Sequence, residues 1–149
     1  MMTPRHPAAG TASPLRTAAL LVGLVFLVVG VLGFIPGVTT GYDSMTFAEH
    51  HSGAELFGVF QVSVLHNIVH LLFGVAGIAM SRTAATARSF LVGGGLIYLV
   101  LWLYGLLIDL DSDANFIPVN SPDNWLHLVL GLAMLLMGLL LARRRRLRD

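Results

Sequence analysis

The chain has 149 residues, of which 56% are hydrophobic and 11% charged, with a net charge of +1 and no cysteine. So apolar a composition cannot be buried inside one soluble domain of that length, and a bilayer has to supply the missing burial. Disulfides, thiolate metal sites and thiol nucleophiles are excluded, and so small a net charge gives no indication of nucleic-acid binding.

Residues 1–13 read as a cytoplasmic segment, expected to be disordered, carrying Arg5 and His6. A first membrane span is expected over roughly 14–35, opened by Ser13-Pro14 and stopped by Pro36-Gly37. Its apolar stretch, Ala18 to Ile35, is longer than a signal-peptide core and no A-x-A-like cleavage site follows, so it reads as a retained anchor. The first outer loop carries Asp43, Glu49 and Glu55. Within it, Thr46-x-x-Glu49 fits a capping box, and Phe47, His51, Ala54 and Phe57 or Gly58 follow at helical spacing. The expectation is a short interfacial helix covering the bundle mouth, in preference to a surface zinc site on Glu49, His50, His51 and Glu55. Leu56 to Val62 reads as an extended entry into the next span.

The remaining spans are expected at about 63–80, 89–108 and 121–142. Each approaches the roughly 20 residues that a helix needs to cross about 30 Å of hydrocarbon. Backbone groups in hydrocarbon must pair within their own segment, so the spans are helices. The charges sort between the connections. Arg5 and Arg16 precede span one, Arg82 and Arg88 separate spans two and three, and Arg143 to Arg146 with Arg148 form a basic tail over 143–149. Seven of the eight acids fall in the other two loops. Since basic loops stay in the cytoplasm, both termini are expected inside. The tail is expected to meet anionic lipid head groups. The fold expected is an all-α membrane protein, a four-helix transmembrane bundle of two helical hairpins, N-in and C-in, occupying residues 14–142.

An internal echo recurs at a spacing of 57 residues: Asn67-x-x-His70-Leu71-x-x-Gly74 matches Asn124-x-x-His127-Leu128-x-x-Gly131. Both copies run the same way across the membrane, which makes the hairpins parallel repeats. Ser63 and Asn120-Ser121 are the expected helix caps. The runs Leu56 to Val62, Leu65 to His70 and Val119 to His127 together resemble the signature of a bacterial membrane family, domain of unknown function 4383. That resemblance covers most of the chain from span one to span four, although Ser63-Val64 stands where the family often has Asn-Pro. It implies a four-span inner-membrane protein of high-GC Gram-positive bacteria, with no activity, cofactor or catalytic residue attached.

Ionisable groups within a membrane are costly and are functional candidates by default. His66 and His70 lie one turn apart on one face, and His127 sits at similar depth in span four. With Asn67 and Asn124 they are expected to form an interhelical hydrogen-bond network joining spans two and four. Three imidazoles also suit a divalent metal or a haem, and an imidazole that titrates near neutrality suits a proton relay or pH sensor. Asp109-x-Asp111-x-Asp113-x-Asn115 copies the first half of an EF-hand loop, but Ala114 and Asn120 replace its glycine and final glutamate, so cation binding there is secondary to a solvated acidic loop. The glycines of the spans permit close helix approach and offer a face for self-association or a membrane-protein partner. Trp125 suits the aromatic belt, while Tyr98 and Trp102 lie deeper, as core or as the wall of a lipid or quinone groove. No hydrolase, nucleotide-binding or zinc-protease motif is present. The expected role is non-enzymatic, with a metal or haem binder and a small-solute carrier as the competing classes.

Overall fold

A computed structural model describes residues 13–146, so the character of residues 1–12 and of the last three residues of the basic tail lies outside the described residues. Four helices dominate: α1 Pro14–Leu32, α2 Val64–Met80, α3 Ala84–Leu107 and α4 Ser121–Arg146. By length and hydropathy α1, α3 and α4 suffice to cross a membrane, whereas α2 is apolar but only 17 residues long. Helix α1 packs chiefly against α2, and α3 chiefly against α4. Around the outside runs a belt of exposed aliphatic side chains, including Leu21, Val25 and Val28 of α1, Leu72 of α2, Val100 of α3 and Val129 of α4. So continuous an apolar surface belongs in lipid.

Helix α4 runs on to Arg146, past the expected limit at 142, and two further helix limits differ from those expected, each for a local reason. Helix α1 stops at Leu32, before Ile35, because the buried Thr39 folds back and donates its hydroxyl to the carbonyls of Leu32 and Gly33. That contact satisfies orphan acceptors at the helix end. Helix α3 begins at Ala84, five residues before Ser89, because the Thr83 hydroxyl accepts the Thr86 N–H at 3.1 Å. The turn from α2 is therefore only Ser81 to Thr83. The expected caps are present: Ser63 accepts the His66 N–H at 3.1 Å, and Asn120 Oδ1 accepts the Asp123 N–H at 2.9 Å.

The interfacial helix expected after Thr46 does not form. Thr46 Oγ1 bonds the Ala48 carbonyl, not the Glu49 amide that a capping box requires, and Glu49 itself sits at φ +84°. The loop instead folds as a small antiparallel sheet in the order β1 Thr39–Thr40, β2 Glu55–Leu56, β3 Phe60–Gln61, with a 3₁₀ turn over Tyr42–Ser44 between β1 and β2. Phe57 and Gly58, at φ +56° and +67°, reverse the chain between β2 and β3. Leu56 and Val62 are buried with Ala54 in a second apolar cluster that Val29 and Leu32 of α1 close from below. This loop is tied to the second one: Glu49 N–H donates to the Phe116 carbonyl, and Asn120 Nδ2 to the Val59 carbonyl at 2.8 Å. The α1–α2 and α3–α4 loops thus form one cap over the bundle.

Candidate functional site

The packing of α1 on α2 is repeated by α3 on α4. A Cβ on Gly23 would lie 2.8 Å from Ile78 N and 2.9 Å from Gly74 O, and one on Gly95 would lie 2.7 Å from Leu135 N and 2.8 Å from Gly131 O. Residues correspond at a spacing of 72 between α1 and α3 and of 57 between α2 and α4. The first spacing was also legible, since Gly23-Leu24-Val25-Phe26-Leu27-Val28 parallels Gly95-Leu96-Ile97-Tyr98-Leu99-Val100, with Gly33 and Gly105 following. The sequence reading missed it because the aligned residues are ordinary span residues. The first outer connection is the longer by the 15-residue difference, and that surplus length supplies the small sheet.

These correspondences converge on one aromatic centre. Phe26 contacts His70 with ring centroids 5.4 Å apart at 54°, and the equivalent Tyr98 contacts the equivalent His127 at 5.3 Å and 60°. Phe26 and Tyr98 stack on each other at 5.4 Å and 25°. Two equivalent pairs meeting through a contact between equivalent residues define an approximate two-fold axis there. Both repeats run in the same direction, so the axis lies along the bundle.

The expected Asn and His network is not what joins the repeats. Asn67 turns to α1, where its amide packs on Gly33 and meets Met45 Sδ at 3.9 Å, and Asn124 turns to α3, where it packs on Gly105. Each His follows its Asn by three residues, which rotates it about 60° around the helix toward the axis. The two side-chain types therefore address different neighbours. His70 Nδ1–H donates to the His66 carbonyl of its own helix at 3.0 Å, since a carbonyl can only accept. That bond fixes the tautomer of His70 and leaves its Nε2 as an acceptor.

The expected metal constellation is not assembled either. His66 and His70 stack at 4.4 Å with planes 4° apart. A metal sits about 2.0–2.1 Å from an imidazole nitrogen and near the ring plane, which two parallel rings at that separation cannot both satisfy. Among the described residues, no three His, Asp or Glu side chains are placed to hold one metal ion. Asn115 of the acidic loop turns away from the aspartates: its Nδ2 donates to the Leu110 and Val119 carbonyls and its Oδ1 accepts the Val119 N–H. It is a loop staple, and Asp109 Oδ1 likewise accepts the Asp111 N–H.

A cavity of about 90 Å³ lies beside the axis, walled by Ser63, His66, His70, Tyr98, Pro118 and His127. Clefts for small organic ligands occupy roughly 300–1,000 Å³, so this one accommodates only groups on the scale of water. Besides His50 Nδ1 in the first loop, three buried polar atoms, Trp102 Nε1, Asn124 Oδ1 and His127 Nδ1, have no hydrogen-bond partner among the described residues. All three belong to the α3–α4 repeat.

Asp123, expected only among the acids of the second loop, proves to be one of the ties between cap and bundle. Its carboxylate is 2% exposed and accepts the Asn120 N–H at 3.1 Å and the Gln61 N–H of β3 at 3.0 Å. Together with the Asn120 side chain it completes a reciprocal capping arrangement at the start of α4. The pattern Asn120-x-x-Asp123 was the available signal. Its 57-residue equivalent is His66, so the two repeats use the same position for different ends.

A family model described as Domain of unknown function (DUF4383) matches residues 16–140. No curated protein and no solved structure matches the chain.

Proposed function

The chain belongs to the family Domain of unknown function (DUF4383), and from that premise we propose that it is a non-enzymatic integral membrane protein with a structural or accessory role. In this reading all four helices cross the plasma membrane of a bacterium as two parallel hairpins, with both termini and the α2–α3 turn in the cytoplasm. The arginine distribution supports that orientation, and the lipid-facing belt supports insertion. The observation that carries the role is the stacking of Phe26 on Tyr98 at the axis, where each ring also rests on the histidine of its own hairpin, His70 or His127, so that the two hairpins are held together by shape. The adjoining cavity is too small for a haem or for a drug-sized substrate.

The test is a double-mutant cycle on the detergent-purified protein. His70→Ala and His127→Ala line one cavity, so each should destabilise the bundle and the pair should be non-additive by about 0.5–3 kcal/mol. Strictly additive losses would remove the basis for a joint packing role. An absorption spectrum and elemental analysis of the same preparation address the competing class. A Soret band, or stoichiometric metal lost with His70→Ala or His127→Ala, would replace the structural reading by a haem or metal function.

A further inference from the structure

Two of the arginines at the end of the bundle opposite the cap, Arg88 and Arg143, line a groove that the packing role leaves unused. The groove encloses about 740 Å³ between the start of α3 and the last turns of α4. Arg88 and Ser89 stand on one side of it and Arg143 on the other, while Leu136, Leu139 and Leu140 form an apolar wall running toward the middle of the bundle. These three leucines are all exposed. Arg16, by contrast, is committed to the fold, with its Nε donating to the Ser81 carbonyl at 3.0 Å. Arg88 and Arg143 make no hydrogen bond or ion pair with another described residue, the one ion pair among those residues being His51 with Glu49 in the opposite cap. Every described acid also lies in or beside the cap. Two guanidinium groups above an aliphatic wall, at the level where a helix leaves hydrocarbon, match one class of molecule in both halves.

We propose that this groove binds one anionic phospholipid, with its phosphate between Arg88 and Arg143 and an acyl chain along Leu136, Leu139 and Leu140. Guanidinium is suited to this because its planar fork donates two hydrogen bonds to one phosphate, and its aliphatic stem tolerates contact with lipid. A free phosphate or nucleotide would leave the leucine wall without a partner. The assignment of this lipid to the inner leaflet rests on the proposed orientation, whereas the groove itself does not.

The experiment is native mass spectrometry of the full chain in detergent, titrated with phosphatidylglycerol or with phosphatidylcholine of the same acyl chains. One phosphatidylglycerol should bind with roughly tenfold preference over phosphatidylcholine. Arg88→Gln with Arg143→Gln should abolish that preference, and Arg143→Gln alone, at an exposed position on α4, should reduce it. A variant with Arg145, Arg146 and Arg148 replaced by Gln should retain the single site. Three results overturn the proposal: no preference in the unaltered protein, equal loss in the tail variant, which would indicate diffuse attraction, or displacement of the lipid by millimolar inorganic phosphate. Binding in detergent does not depend on orientation, so labelling of the termini fails or succeeds separately.

Discussion

Gly93 and Gly95 stand two residues apart in α3 and have opposite demands placed on them. A Cβ at Gly93 would meet nothing within 4 Å, whereas one at Gly95 would press on the backbone of Gly131 and Leu135. Main chain cannot rotate away as a side chain can, so Gly95→Ala is expected to cost about 1–3 kcal/mol, the usual range for overpacking. Gly93→Ala should instead be neutral or stabilising by up to about 1 kcal/mol, since alanine favours helix over glycine. Thermal unfolding of the two variants in one detergent checks both. Equal melting temperatures would contradict the close crossing of α3 and α4. The same reasoning separates the histidines, because His70 has a fixed partner for Nδ1 and His127 has none among the described residues.

At the level of elements, Asp123 accepts two of the bonds that seat the cap on the start of α4, while others run from Val64 and Leu65 of α2 to the Thr46 and Phe47 carbonyls. Replacing Asp123 with Ala removes the acceptor for the Gln61 and Asn120 amides and should cost about 0.5–2 kcal/mol, as loss of a helix cap does. The loss should be local. Hydrogen exchange at Gln61 and Asn120 should accelerate, and proteolysis should reach the 46–62 loop sooner, while α1 and α2 remain protected. Uniform acceleration throughout the chain would show that the cap and bundle unfold as one unit. The sheet in this loop also explains why helical periodicity misled: Phe47 is exposed, and the buried residues Ala54, Leu56 and Val62 reach the α1 end through strand alternation and turns.

For the whole molecule, the absence of native cysteine makes orientation directly measurable. Single substitutions Asp111→Cys in the second outer loop and Arg82→Cys in the α2–α3 turn place thiols at opposite ends of the bundle. In intact cells a membrane-impermeant maleimide should label the first at once and the second only after permeabilisation. Reversed labelling would overturn the proposed topology and would move the lipid groove to the outer leaflet. The duplicated architecture has a further consequence at this scale. Two helix pairs that share the glycine crossings present a symmetric scaffold, but the repeats differ at Phe26 against Tyr98 and at His66 against Asp123, so the symmetry about the axis is only approximate.

Hydropathy and charge alone determined the four apolar segments, the arginine sorting, the helix caps at Ser63 and Asn120, and the 57-residue repeat. Those features depend on near neighbours in the chain, and a short window of sequence contains their causes. What only the tertiary structure decided is which neighbour each polar side chain meets. Asn67 and Asn124 face the glycines of their own hairpin partners while His70 and His127 meet aromatic rings at the axis, because a 60° rotation on one helix becomes a contact only once the facing helix is in place. The outer sheet and the role of Asp123 belong to the same class. Each depends on a bond between distant residues, Thr40 with Glu55 at 15 positions and Gln61 with Asp123 at 62, and no local pattern specifies a partner at that distance.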